Sequence, residues 1–330
     1  MNLIRAEGLK KHFPVGSDFV ARYLSDDAVH AVDGVDLAVE KGQTLGLVGE
    51  SGCGKSTLGR CLLRLLSPTE GRIYFDGEEI TSLSQRQLRS RRRNMQMVFQ
   101  NPRSSLNPRQ TVGEILTNPI KFHDIATGDE AEEIARTLLE DVGLSSNHVN
   151  RYPHEFSGGQ QQRIGIARAL SVNPEFIVLD EPVSALDVSV QAQILKLIER
   201  IKTEYDLTLV FISHNLNVVR HVCDEVAVMY LGEIVENASV EDVFENPMHP
   251  YSQALLDSVA LPDGSKTINR ENIINEDIPS PINPPDGCRF HTRCPEVMDV
   301  CRSENPSLCA RTDPDTQASR TSKCHLYEQI

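Results

Sequence analysis

Gly49 is followed by Glu50-Ser51-Gly52-Cys53 and then by Gly54-Lys55-Ser56-Thr57, which completes the spacing G-x-x-x-x-G-K-[ST]. Residue types and spacing here suit phosphate. Glycines let consecutive backbone N–H groups close around phosphate oxygens, and a helix starting near Lys55 adds the partial positive charge of its N-terminus. Lys55 supplies a cation for the terminal phosphates, and the Ser56 hydroxyl is a hard oxygen ligand for Mg²⁺. The stretch reads as a P-loop for ATP with Mg²⁺, lined by Gly49, Ser51, Gly52, Cys53, Gly54, Lys55, Ser56 and Thr57.

Further groups act on a bound triphosphate. Phe176-Ile177-Val178-Leu179 ends in Asp180-Glu181; Asp180 is placed to hold Mg²⁺ directly or through water, and Glu181 to polarise the attacking water. Met95 to Phe99 ends at Gln100, whose carboxamide ligates Mg²⁺ or positions water. Thr208 to Ser213 ends at His214, a hydrogen-bond partner for a γ-phosphate oxygen. Ser157-Gly158-Gly159-Gln160 presents a hydroxyl and free N–H groups at a helix start, a second phosphate-binding surface. Singly, each has an ordinary structural reading: paired acids cap helices, a lone histidine packs, two glycines make a loop. A P-loop in the same chain raises the catalytic one.

Groups so far apart in sequence converge only where parallel strands end at one edge of an α/β sheet. Leu45 to Val48 reads as a buried strand and Leu58 to Leu66 as the helix after it. Residues 2 to 9 and 28 to 39 read as strands, with a loop-like segment containing Phe13, Pro14, Gly16 and Phe19 between them. Phe13 either stacks on adenine or packs in the core. Residues 71 to 80 read as two short strands about a turn, 84 to 93 as a basic helix with a solvated face, and 112 to 145 as a helical insertion.

A chain of 330 residues holds one large domain plus a smaller one, or two domains. Its net charge of −14 and isoelectric point near 5.2 argue against coating nucleic acid or anionic lipid with its whole surface. No stretch approaches the ~20 apolar residues of a membrane span, and the N-terminus has no signal-peptide core. The expectation is a cytoplasmic chain whose membrane role comes through partners.

With these residues together, the chain resembles the ATP-binding subunits of ABC transporters over roughly residues 1–245, Ser157-Gly158-Gly159-Gln160 being that family's signature. The resemblance implies a RecA-like P-loop NTPase core with an antiparallel β subdomain and a helical subdomain at about 101–164. It implies a head-to-tail pair of subunits around two ATP molecules, Ser157 to Gln160 completing the partner's site. Gln100 would couple the site to the helical subdomain and membrane partner, Asp187 would lie across the dimer interface, His214 would be the switch histidine, and Phe13 would stack on adenine. The catalytic set is then Glu181, His214, Gln100 and Lys55, with Ser56, Gln100 and Asp180 toward Mg²⁺.

Past residue 245 the composition changes. Residues 278 to 287 are proline-rich, and five of the eight cysteines, Cys288, Cys294, Cys301, Cys309 and Cys324, follow. Gathered thiolates suit Fe–S or zinc, although the C-x₂-C knuckles common in zinc sites are missing; a metal-free reduced module is the alternative. Cys53, Cys61 and Cys223 read as small buried hydrophobes. Asn246-Pro247-Met248-His249-Pro250-Tyr251 and Gly287-Cys288-Arg289-Phe290-His291-Thr292-Arg293-Cys294-Pro295 resemble the C-terminal module of the oligopeptide/dipeptide branch, nickel transporters included. Its four usual cysteine positions match Cys288, Cys294, Cys301 and Cys324, where some members carry a [4Fe–4S] cluster; Cys309 is left as a spare thiol. Residues 246–330 form this extension. The branch implies peptide import at the cytoplasmic face of the membrane, with a second, paralogous ATPase, two permeases and an extracytoplasmic binding protein. Nickel or another small solute is the alternative cargo. A soluble ABC ATPase acting on nucleic acid or ribosomes lacks its second cassette and basic surface here, and a regulatory switch would lack Glu181.

Overall fold

The computed structural model describes residues 1–15, 27–258, 278–312 and 319–328. In chain order the strands are β1 (Asn2–Pro14), β2 (Ala28–Glu40), β3 (Thr44–Val48), β4 (Glu70–Phe75), β5 (Glu78–Glu79), β6 (Met95–Val98), β7 (Phe176–Asp180), β8 (Thr208–Ile212), β9 (Glu225–Tyr230), β10 (Glu233–Ser239), β11 (Cys309–Thr312) and β12 (Ser319–Ser322). Phe13 and Pro14 prolong the first strand, while Gly16 and Phe19 lie outside the described residues. The chain divides into two compact units.

One unit comprises residues 1–3, 39–44 and 75–212. In it β7 lies between β6 and β8, all parallel, in the register Met95↔Phe176 and Phe176↔Thr208. Every residue of β7 and β8 is buried, which is why these strands read as unbroken apolar runs instead of alternating ones. The region 112–145 forms two helices, Val112–Phe122 and Gly128–Asp141. The first opens on a capping box in which the Glu114 N–H donates to Thr111 Oγ1 at 3.2 Å and the Thr111 N–H donates to the Glu114 carboxylate at 2.8 Å. Ala131, Ala135, Leu138 and Leu139 place the buried face of the second at helical spacing.

The other unit comprises residues 4–38, 45–74 and 213–330. Here β1 lies between β2 and β4. The P-loop strand β3 pairs in parallel with β9, Leu45 opposite Glu225. β9 turns back into antiparallel β10 through Leu231-Gly232, whose positive φ values of 42° and 85° suit a two-residue hairpin turn. β12 then pairs with β10 and β11 with β12, both antiparallel. The C-terminal residues therefore extend the sheet that carries the P-loop. Among the described residues no helix is long and apolar enough to cross a membrane.

A buried histidine starts the helix Pro250–Asp257. His249 is 1% exposed, and its Nδ1 accepts the Tyr251 N–H at 3.0 Å as the cap. Burial pushes the imidazole down to about 3, against a bond to the Lys323 backbone that raises it, so the native ring is neutral. The unfolded chain protonates it below its ordinary value near 6.5. Because the unfolded state then binds the extra proton, stability falls as pH drops from about 6.5 toward 3, with a slope contribution near 1.4 kcal/mol per pH unit. Urea unfolding between pH 7 and 4 should show His249→Asn, which keeps a capping acceptor, with a flatter profile than wild type. Parallel profiles would remove His249 from the acid response.

Candidate functional site

The P-loop is shaped by contacts that only glycine permits. At Gly49, φ is +147° and a Cβ would fall 2.1 Å from the Met229 carbonyl oxygen; at Gly54, φ is +111° and a Cβ would fall 1.9 Å from the Ala31 carbonyl oxygen. Gly52, at φ +82°, has nothing within 4 Å of that position, so its backbone is open to a ligand. Lys55, 5% exposed, starts the helix Lys55–Leu62 and arches over the loop. Its ammonium donates to the carbonyl oxygens of Gly49 at 2.8 Å and Glu50 at 2.9 Å, and faces Cys53 Sγ at 3.7 Å. Ser56 and Thr57 follow half-buried at the helix start. A concave loop of N–H groups, a cation and a hydroxyl at a helix N-terminus is fitted to a polyphosphate with Mg²⁺.

In the other unit the acids behave differently from one another. Asp180 closes β7 at 2% exposure, whereas Glu181 bends out of the strand at φ +47°, a left-handed conformation that is strained for this residue. The surroundings over-determine it: the Glu181 N–H donates to the Ile212 carbonyl at 3.0 Å, and its own carbonyl accepts the Ser184 hydroxyl at 3.1 Å and N–H at 3.3 Å. Its carboxylate accepts from Gln100 Nε2 at 2.8 Å. The structure thus joins Gln100 and Glu181, 81 residues apart, as a carboxamide holding a carboxylate. Their strained turn had no signal in the sequence.

Ser157 caps the helix Gly158–Leu170: the Gln160 N–H donates to its hydroxyl at 3.4 Å and its own N–H donates to Gln160 Oε1 at 3.0 Å. The two glycines differ. A Cβ on Gly158 would make ordinary contact with Leu186 at 3.5 Å, while one on Gly159 would strike Val190 at 2.4 Å, so Gly159 also serves close packing against the helix Val188–Glu204. Asp187 begins that helix with no capping bond from its side chain, and Val188 beside it is 82% exposed. His214 is exposed just past β8, and Phe13 is half-buried with Lys11 Nζ 4.9 Å from its ring centre.

Residues 32–184 match the ABC transporter family model, and residues 235–301 match the model for the C-terminal region of oligopeptide/dipeptide transporters. The oligopeptide transport ATP-binding protein AppF of Bacillus subtilis (strain 168) is 50% identical over 327 residues, 98% of this chain and 97% of the relative. The chain belongs to the ABC transporter ATP-binding proteins. A dimeric structure of the ATP-binding cassette MJ0796, in a post-hydrolysis state bound to ADP and Pi, superposes with a TM-score of 0.64 at 30% identity, over 72% of this chain and 98% of that one. CbiO1 of Clostridium perfringens, part of an ABC transporter complex, superposes with a TM-score of 0.63 at 26% identity, over 74% and 91%. This ABC protein is an ATPase.

The ABC ATPase's C-terminal thiols fall into two groups. Cys301 and Cys324 are buried, Cys288 and Cys294 half-buried, and the Cys288 N–H donates to the Cys301 carbonyl at 2.9 Å. Burial pushes Cys294 up to about 11 and Cys324 up to about 12, and the neighbouring thiols push in the same direction: Cys294 feels Cys288 and Cys301, and Cys324 feels all three others. Cys309 is outside this set, its Sγ 3.8 Å from the Ser307 carbonyl. Among the described residues no three of these sulfurs lie within 4.8 Å of one another. Tetrahedral zinc at about 2.3 Å per bond brings its sulfurs within roughly 4 Å. Four gathered thiols are soft ligands that suit either zinc or an iron–sulfur cluster.

His12, His30 and Asp33 also gather, with His12 Nε2 2.9 Å and His30 Nδ1 3.0 Å from the two Asp33 oxygens. Arg289 pairs with the same carboxylate and donates to the Leu231 carbonyl. Burial opposes ionisation of Asp33, yet donation from His30, Arg289 and His12 outweighs it and holds the carboxyl well below its usual range. A guanidinium already seated on the carboxylate repels a further cation. The cluster is an ion-pair node that ties β2 to the C-terminal module.

Proposed function

We propose that this chain is the ATP-hydrolysing subunit of an importer of dipeptides and oligopeptides. The observation that carries this reading is near full-length likeness to AppF, including the oligopeptide/dipeptide C-terminal region. In this reading residues 1–245 are the nucleotide-binding domain, with a helical subdomain at about 101–164, and residues 246–330 are the transporter-type extension. The subunit sits peripherally on the cytoplasmic face of the membrane. It pairs with a paralogous ATPase, two permeases and an extracytoplasmic binding protein.

The chemistry is phosphoryl transfer to water. The P-loop residues Gly49 and Ser51 to Thr57 hold the phosphates, Phe13 stacks on the adenine, and Lys55 takes up charge that grows on the transferring group. Ser56, Asp180 and Gln100 would hold Mg²⁺ through oxygen, and the ion would supply charge neutralisation on the phosphate oxygens. Glu181, held by Gln100, polarises the attacking water, and His214 hydrogen-bonds the γ-phosphate. Ser157 to Gln160, with Asp187, face the partner's nucleotide; exposed Val188 and the uncapped Asp187 support an interface there. Cells lacking this chain should lose uptake of a labelled oligopeptide and regain it with wild type but not with Glu181→Gln. Undiminished uptake without the chain would sink the peptide assignment.

Cys288, Cys294, Cys301 and Cys324 would hold a [4Fe–4S] cluster, supported by their gathering in the fold, where Cys324 feels the other three thiols. Anaerobic purification should yield about four irons and four sulfides per chain with visible thiolate-to-iron absorption, both lost in Cys294→Ser. Stoichiometric zinc would overturn the cluster and leave the transport reading intact.

A further inference from the structure

Glu50, the residue immediately after Gly49, is gripped at three of its groups, two of them by the C-terminal module. Its carboxylate takes a two-pronged ion pair from Arg293, Nη1 to Oε2 at 2.8 Å and Nη2 to Oε1 at 2.9 Å. Its N–H donates to the Tyr251 hydroxyl at 2.9 Å, and its carbonyl accepts from Lys55 Nζ at 2.9 Å. The Arg293 side chain is only 3% exposed and Tyr251 is wholly buried. Both are locked in place. Tyr251 packs against Tyr230 and Phe290 at ring-centre distances of 4.7 and 5.4 Å, and Arg293 Nη1 also reaches the Tyr230 hydroxyl at 3.3 Å. The Arg293 N–H closes a turn on the Phe290 carbonyl at 3.0 Å, and the next residue is Cys294.

We propose that Arg293 and Tyr251 are positioning residues for the P-loop, so that the C-terminal module sets nucleotide affinity through Glu50. The route is short. The guanidinium fork orients the Glu50 side chain, the phenol oxygen engages the Glu50 N–H, and the carbonyl of the same residue anchors the ammonium of Lys55. Replacing a buried ion pair by packed hydrophobes is often neutral for stability, so we read the Arg293–Glu50 pair as fixing geometry. A planar bidentate fork specifies both position and angle, which a point charge does not. The thiols that flank Arg293 in the fold thereby belong to the same mechanical unit as the phosphate site.

The test uses the full chain and a fluorescent ribose-modified ATP with Mg²⁺, titrated at equilibrium. Arg293→Gln and Glu50→Gln should each weaken binding at least tenfold, and the double variant should be no weaker than the worse single, since both remove one coupling. Arg293→Lys should fall between wild type and Arg293→Gln. Tyr251→Phe, which deletes only the acceptor for the Glu50 N–H, should weaken binding severalfold and guards against a misfolded arginine variant. Tyr327→Phe removes a hydrogen bond to the Met248 carbonyl of 2.8 Å within the same unit and is the control. It should lower the nucleotide-free melting temperature without changing affinity. Affinities within twofold of wild type in Arg293→Gln and Tyr251→Phe overturn the proposal, as does an equal loss of affinity in Tyr327→Phe.

Discussion

Glu181→Gln is expected to bind ATP about as tightly as wild type and to lose at least about a hundredfold in turnover. The substitution is nearly isosteric. Gln100 Nε2 donates to Glu181 Oε2 at 2.8 Å, and the carbonyl oxygen of a glutamine can still accept that bond, without the charge assistance. The left-handed turn at φ +47° is held by backbone bonds to Ile212 and Ser184, which the change does not touch. What disappears is the negative charge that draws a proton from water. Phosphate release and nucleotide titration separate the two effects: kcat should collapse while KM stays within a fewfold. Turnover near the wild-type rate would take Glu181 out of the mechanism; lost ATP binding would make it a structural residue.

Gly54→Ala should abolish measurable ATP binding and destabilise the fold by on the order of 3 kcal/mol or more, because strain and overlap act together. The new methyl would sit 1.9 Å from the Ala31 carbonyl oxygen and 2.8 Å from Met229 Cε at φ +111°. A methionine tip yields; a carbonyl within β2 does not. Gly52→Ala is the comparison, since its φ of +82° is unfavourable to alanine but no atom lies within 4 Å of the methyl. It should lose roughly 1–2 kcal/mol from conformation alone and remain folded. Melting temperatures and the nucleotide titration read both variants. A Gly54→Ala chain that melts and binds like Gly52→Ala would mean that the loop is not shaped by its contact with β2.

The local chemistry of this protein was legible because each piece is short and carries its own physical signature. Strands β3, β7 and β8 are buried along their whole length and mostly apolar because both faces are covered, and β7 and β8 carry polar groups, Asp180 and Ser213, at their carboxyl ends. The helix start at Ser157 announces itself through a capping hydroxyl followed by two glycines. Other features depend on partners far away in the chain. Gly159 reads as loop freedom, yet Val190 is what forbids a side chain there. Strands β11 and β12 have weak patterns of their own and exist because β10 offers an edge to pair with.

By itself the sequence determined the phosphate chemistry and the likeness to ABC subunits, since residue type and near-neighbour spacing suffice for those, while setting Cys309 apart from the other four C-terminal thiols rested on the family resemblance. Tertiary structure alone decided that Glu181 is strained and held by Gln100, that Asp33 is claimed by Arg289, and that Arg293 reaches Glu50 across 243 positions of chain. An ion pair carries no periodicity and no spacing rule. It forms only where folding brings two charges together and excludes water, and that is a property of the packed molecule.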